Sequence, residues 1–439
     1  MNRRSASMYS KSFQYFIIIL LIVVGLADHC AACSMYKVTA NGRTMVGNNE
    51  DSWGQDARIW FEPGDEHNAG VVCVGYARKK YPDGAINEHG LVFDAIALPH
   101  RTDMPERDPK KKDFGYPTLL TVMRQCRTVD EVATFLEPFN LHVLNGSPLF
   151  YGCMLLFVDP SGAYLVVEAS KMTRGTEDRL ALANFSVAHT PDPNTVRIER
   201  YRKGVEFMNN KMPETSLSYC EALSDTMSVC RAKVGDGTLF TTIYDLQEGL
   251  IHLYFFHDFT QRVTFHIKEE LARGARSVSV ESLFPPNAEY AEFIAYQTPV
   301  NNQVIFIFIL CCAALFFSSA AVYGIRFLFW RKVELRWLNV ALAVWGIALF
   351  AYMLTLLFNQ GIFYFPAPYT TGASFWIAVS SYLPVVLLVL FVPFLIFIRR
   401  LYQSEKWGLG VRWLLLANQL AYVGLLGLFA YWGLFDVVG

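Results

Sequence analysis

The chain has 439 residues, with 38 Lys and Arg against 39 Asp and Glu, a formal net charge of -1. That balance gives no reason to expect a nucleic-acid partner, because proteins that hold phosphate backbones do so with an excess of basic residues. Hydrophobic residues reach 53% and charged ones only 18%, and the apolar excess gathers at the start and in the last third, which points to a membrane.

Arg3, Arg4 and Lys11 precede an apolar run from Phe16 to Ala27, and the small residues Ala31 and Ala32 follow it. This is the layout of a secretory signal peptide over residues 1–32, with cleavage after Ala32 leaving Cys33 first. An uncleaved anchor and a lipoprotein signal are the competing readings. The second is disfavoured because Cys30 stands where a lipoprotein signal usually carries an aliphatic residue.

Residues 33–300 have ordinary soluble composition and are long enough for one substantial core. Runs such as CMLLFVD (153–159), AYLVVEA (163–169), FTTIYDL (240–246), LIHLYFF (250–256) and RVTFHI (262–267) are rich in β-branched and aromatic residues. Turn signals such as Asp159-Pro-Ser-Gly162 separate them, so they read as hairpins of largely antiparallel sheets. TLLTVMRQC and TVDEVATFLEPF instead show helical spacing, the second opening with Thr128 and Glu131 placed as a capping box. The polar stretch from His100 to Asp113 reads as a solvated loop, with a rim over a site as the sharper alternative.

Cys220 and Cys230 could pair in an oxidising compartment, although sequence does not establish it. The one CxxC pair, Cys30 and Cys33, straddles the expected cleavage site so that Cys30 leaves with the signal peptide, and no HExxH occurs, so neither a structural zinc site nor another cofactor is expected.

Residues 301–439 carry four apolar stretches, near Val304 to Tyr323, Leu338 to Leu357, Phe375 to Phe397 and Trp413 to Leu434. Each approaches the roughly 20 residues that span a hydrocarbon core as a helix. Arg326, Arg331, Lys332 and Arg336 lie between the first two, and Arg399, Arg400, Lys406 and Arg412 between the last two, whereas NQGIFYFPAPYTTGA in the middle has no Lys or Arg. The positive-inside rule then makes the basic loops cytoplasmic and sends the middle loop, the C-terminus and residues 33–303 outside, the side to which the signal peptide also exports that segment. Few ionisable residues fall at mid-span, so a transport pathway is not indicated.

A cysteine that begins a mature chain has a thiol and a free α-amine side by side. The amine, with an ordinary pKa of about 7.7 to 8.0, can serve as the thiol's base near neutral pH. Amide cleavage also needs a carboxylate to orient the amine and neutral donors for the oxyanion. Asp51, Asn48, Asn49 and Asn184 are the candidates; the ordinary alternatives are a turn aspartate and structural amides.

The segment Cys33-Ser-Met-Tyr, the Asn41-Gly42 turn and GNNEDSW together resemble the opening of the linear amide C-N hydrolases. This is the N-terminal-nucleophile group of choloylglycine hydrolases and penicillin V acylases. INEHGLVFDAIALP resembles their N-E-x-G-L segment, ALANFS the strand bearing an oxyanion asparagine, and TTIYDLQEGLIHLYFFHDF their closing hairpin. The resemblance implies an α+β fold, an αββα sandwich of antiparallel sheets, followed here by the four membrane helices. It implies Cys33 as nucleophile, Asp51 as its carboxylate and Asn184 in the oxyanion hole. Asn48 and Asn49 fall in the substrate-binding segment, and either Arg200 or Arg202 takes the place of a further arginine. Two departures stand out: Asn48 replaces the usual arginine, and Ile96 or Ala97 falls where a second oxyanion asparagine is expected. The implied protein is an exported, membrane-anchored amidase acting on a small N-acyl amide. An acyltransferase using the same acyl-enzyme, and a non-enzymatic membrane receptor or complex subunit, are the alternatives.

Overall fold

The computed structural model describes residues 33–51, 56–76, 82–98, 105–141, 153–229, 237–329, 336–359, 361–364, 375–403 and 408–437. The expected signal peptide and Cys230 lie outside these residues, as do parts of the 100–113 loop and of the three loops from which a membrane orientation is expected. The chain divides into two compact units, one running to Ala291 and the other beginning at Glu292.

The first unit contains sixteen strands among the described residues. In chain order β1 (Ser34–Ala40), β2 (Arg43–Asp51), β3 (Ala57–Glu62), β4 (Val71–Tyr76), β5 (Gly84–Asn87), β6 (Val92–Ala97), β7 (Lys112–Asp113) and β8 (Phe139–Asn140) come first. Then follow β9 (Cys153–Val158), β10 (Tyr164–Val167), β11 (Met172–Gly175), β12 (Arg179–Leu182), β13 (Thr238–Asp245), β14 (Leu250–Phe255), β15 (Asp258–His266) and β16 (Arg276–Ser279). A six-stranded sheet has the order β12-β1-β2-β13-β14-β15 and an eight-stranded sheet the order β11-β10-β9-β6-β5-β4-β3-β16. Every pairing within these two sheets is antiparallel, as the hairpin signals predict; the short β7–β8 pair is parallel.

The predicted turns hold the local conformations that require them. Asn41 and Gly42 both have positive φ, at 53° and 75°, the geometry of a two-residue hairpin turn whose twist matches its strands. Helix α1 (Tyr116–Gln125) and helix α2 (Val129–Leu136) occupy the segments of helical spacing. The Thr128 hydroxyl caps α2 by accepting from the Glu131 N–H, while the Glu131 carboxylate accepts from the N–H of Arg127 rather than from that of the capping residue. Helices α3 (Glu199–Asn210) and α4 (Leu217–Met227) follow β12.

Alternation along the strands then builds four layers. On one face of the six-stranded sheet Tyr36, Val38, Met45, Ile243 and Tyr254 pack against Tyr201 and Met208 of α3 and Leu223 and Met227 of α4. On one face of the eight-stranded sheet Val71, Cys73, Phe93, Leu155 and Leu165 pack against Val122 and Met123 of α1 and Val132 and Leu136 of α2. The remaining faces meet each other through Phe61 and Phe265, with ring centroids 5.5 Å apart, and Tyr76 and Phe240, at 6.3 Å. The result is the α+β sandwich, helices outside and antiparallel sheets inside, that the sequence resemblance implies.

The second unit carries four helices long and apolar enough to cross a membrane, spanning Gln303–Leu328, Trp337–Phe358, Ile377–Arg399 and Leu409–Tyr431. They coincide with the four apolar stretches of the sequence. The third stretch is broken by a turn at Ser381 and Tyr382, and its long helix runs Leu383–Gln403 with Pro393 inside.

Candidate active site

The β1–β2 hairpin assembles the centre of the site. Cys33 immediately precedes β1, and β2 is nine residues long, so the returning strand reaches back to the start of β1. Ser34 pairs with Asn49 and Met35 with Asn48. Carrying that register one step on places Glu50 across from Cys33, and the thiol donates to the Glu50 Oε2 at 3.0 Å. Cys33 is 2% exposed and Glu50 1%. Burial above all, then the charges of Glu50 and Asp51, pushes the Cys33 thiol well above its ordinary pKa, while the main-chain N–H of Asp51 acts in the opposite direction.

Strand alternation separates the asparagines. Ser34 and Asn49 turn toward α4, where the Ser34 hydroxyl donates to the Met227 carbonyl and the Asn49 amide to that of Ser224. The Asn49 Oδ1 also accepts from the Thr241 hydroxyl at 2.7 Å. Asn49 therefore lies on the face away from the thiol. Asn48 lies on the same face as Glu50 and hydrogen-bonds the Asp94 carboxyl of β6; its Oδ1 is buried without a donor. Asp94 sits well above the ordinary carboxylate range, first because it is buried and then because Glu50 and Asp83 add negative charge.

Asp51, the last residue of β2, has no exposed side-chain surface and stands 4.0 Å from the Arg200 Nε. Its Oδ1 accepts from the Thr238 hydroxyl at 2.6 Å. Arg200, in the first turn of α3, also donates to the Asn184 Oδ1, and the Asn184 amide donates to the Ala97 carbonyl at 2.8 Å. Asn184 reaches this end of the sheet because β12 runs antiparallel to β1, with Met35 opposite Leu182. The two arginines that spacing left open thus differ in environment: Arg200 joins Asp51 and Asn184, and Arg202 is exposed. Where a second asparagine was expected, Ile96 is buried and Ala97 contributes its carbonyl.

The structure thus gathers Cys33, Asp51, Asn184 and Arg200 at one end of the six-stranded sheet, with Asn48 on the inter-sheet side. Glu50, Thr238 and Asp94 are the neighbours the motif reading missed. Glu50 was within reach of counting, since Cys33 lies eight residues before Asn41 and Glu50 eight after Gly42. Thr238 and Asp94 come from distant strands and leave no local signal. No group of three or more His, Cys, Asp or Glu with metal-binding geometry occurs among the described residues.

No family model and no curated protein matches the chain. Among solved structures it resembles a single-residue variant of conjugated bile acid hydrolase from Clostridium perfringens, at 16% identity and a TM-score of 0.45, covering 58% of this chain and 97% of that one. It also resembles penicillin V acylase from Agrobacterium tumefaciens, at 13% identity and a TM-score of 0.43, covering 56% and 91%. A third is the Caenorhabditis elegans orthologue of N-acylethanolamine-hydrolyzing acid amidase, at 9% identity and a TM-score of 0.34, covering 48% and 92%. The fold itself rests on the strand order and packing layers described above.

Proposed function

We propose that the chain is a membrane-anchored hydrolase of linear carbon–nitrogen amide bonds in small N-acyl compounds, with Cys33 as the nucleophile. The observation that carries this reading is the convergence on the start of β1 of a thiol, a buried carboxylate and an amide, the last two tied together by Arg200. Cys33 attacks the amide carbonyl; the acyl group passes to sulfur and then to water. Asn184 serves as an oxyanion donor. Its carbonyl end is taken by Arg200 and its NH2 donates one hydrogen to the Ala97 carbonyl, so the oxyanion is served by the other hydrogen of that NH2. A chain cut after Ala32 carries a free α-amine next to the thiol, able to exchange a proton near neutral pH. Asp51 orients that end of the strand. The domain limits follow: residues 1–32 are removed, 33–300 form the catalytic domain on the extracytoplasmic side, and 301–439 anchor it.

N-terminal sequencing of the mature protein, with hydrolysis of acyl 4-nitroanilides of graded chain length, tests the reading. A mature chain starting at Cys33, and loss of hydrolysis in a folded Cys33→Ala variant, are the expected results. Residues retained ahead of Cys33 in active protein, or undiminished hydrolysis in Cys33→Ala, refute it.

A further inference from the structure

We propose that the four-helix unit binds one internal water, held between the Tyr323 hydroxyl and the Gln419 side-chain carbonyl, in a cavity where its four long helices meet. The cavity has a volume of about 20 Å³. Ser319 and Tyr323 line it from the helix Gln303–Phe329, Trp345 from Arg336–Phe358, Phe394 from Leu383–Gln403, and Asn418, Gln419 and Tyr422 from Leu409–Tyr431.

Two direct hydrogen bonds rim this space. The Asn418 amide donates to the Ser319 hydroxyl at 2.8 Å, and the Trp345 Nε1 donates to the Tyr422 hydroxyl at 3.2 Å. They tie the last helix to the first and the second. Beside them, the Tyr323 hydroxyl and the Gln419 Oε1 are buried without a hydrogen-bond partner among the described residues, Tyr323 being 2% exposed and Gln419 6%. A polar group sealed off in this way has lost its solvation, and in hydrocarbon no bulk water restores it.

The guest that suits these walls is defined by their chemistry. Tyr323 has a hydrogen to give and the Gln419 carbonyl has lone pairs to fill, so the guest must accept from one and donate to the other. No Lys, Arg, His, Asp or Glu lines the cavity, so an ion would lie there without a counter-charge and the guest is neutral. A water needs about 10 to 15 Å³ and two to four polar partners. Tyr323 and Gln419 supply two, and the Tyr422 hydroxyl, which accepts from Trp345, can give its own hydrogen as a third. A lipid alcohol has the same hydroxyl chemistry but brings a carbon chain for which about 20 Å³ leaves no room. A bridging water is nearly as good as a direct hydrogen bond, so it joins the first and last helices a turn away from the Asn418–Ser319 contact.

The test is a crystal structure of the full-length protein grown from lipid, together with melting temperatures of Tyr323→Phe, Gln419→Leu and the double variant in one detergent. One solvent peak within about 3.2 Å of both the Tyr323 hydroxyl and the Gln419 Oε1 is expected in the parent, and none in the double variant, whose cavity is apolar on both sides. Each single replacement is expected to lower the melting temperature by about 2 to 4 °C, and the double by less than the sum, because the two groups share one guest. A parent without that peak, a direct Tyr323–Gln419 hydrogen bond, or density continuing to the bilayer face as a lipid chain overturns the water site. Melting shifts that add fully in the double variant overturn the bridge. Should the variants not fold, the parent crystal alone decides.

Discussion

Arg200 donates from its guanidinium to the Oδ1 of Asn184 and thereby fixes which end of that amide is a donor. The same guanidinium lies 4.0 Å from the buried Asp51 carboxylate, so one side chain from α3 orients Asp51 at the end of β2 and Asn184 just beyond β12.

Removing it has a definite consequence. Arg200→Ala removes the cation beside the buried Asp51 carboxylate, which costs about 3 kcal/mol, and takes away the guanidinium bond to the Asn184 carbonyl while the bond from its NH2 to Ala97 stays. Arg200→Lys restores the charge but not the planar fork that reaches both partners. Thermal denaturation is expected to show Lys recovering much of the stability lost in Ala. Hydrolysis is expected to stay depressed in both, because the Asn184 amide loses the guanidinium that holds its carbonyl end.

Asp94 predicts a pH dependence of stability. Its folded-state pKa is raised, by burial first and then by Glu50 and Asp83, so folding favours the protonated acid. Below the ordinary carboxylate pKa of about 3.9 both states are protonated and Asp94 adds no slope. As pH rises past that value the unfolded chain ionises and the folded one does not, so stability falls until the folded pKa is reached, at up to about 1.4 kcal/mol per pH unit. Asp94→Asn removes this slope. Melting temperatures measured from pH 4 to pH 8 are expected to show the variant gaining on the parent as pH rises.

Gly47 is required by a close approach. A Cβ there would fall within the ring of Tyr36, whose hydroxyl donates to the Cys220 carbonyl of α4. Gly47→Ala is expected to cost about 3 kcal/mol through overpacking and to lower hydrolysis, since it displaces the strand carrying Glu50 and Asp51. Pairing the melting temperature with kcat/KM checks both effects.

In the second unit the Asn418 amide, on the helix Leu409–Tyr431, donates to the Ser319 hydroxyl, on the helix Gln303–Phe329, at 2.8 Å. Hydrogen bonds between membrane helices contribute on the order of 0.6 kcal/mol each. Ser319→Ala and Asn418→Ala are expected to destabilise the detergent-solubilised protein by a similar small amount, and the double variant by less than the sum. Full additivity would show that the two side chains do not interact.

Hydrophobic period and turn chemistry are local properties, and wherever they govern structure the sequence was sufficient. The β9–β10 and β13–β14 hairpins, the Thr128 cap, the Asn41-Gly42 turn and the four apolar helices all follow from neighbours a few residues apart. Tertiary structure alone brought Arg200 to Asp51 and Asn184, set Asp94 beside Asn48, and turned Asn49 toward α4 and away from the thiol. Those contacts join residues far apart in the chain, and each depends on strand order and on which face a residue shows. The reason is period two: one step along β2 moves a side chain from the helix layer to the space between the sheets, and a motif written as a string of letters contains both faces at once.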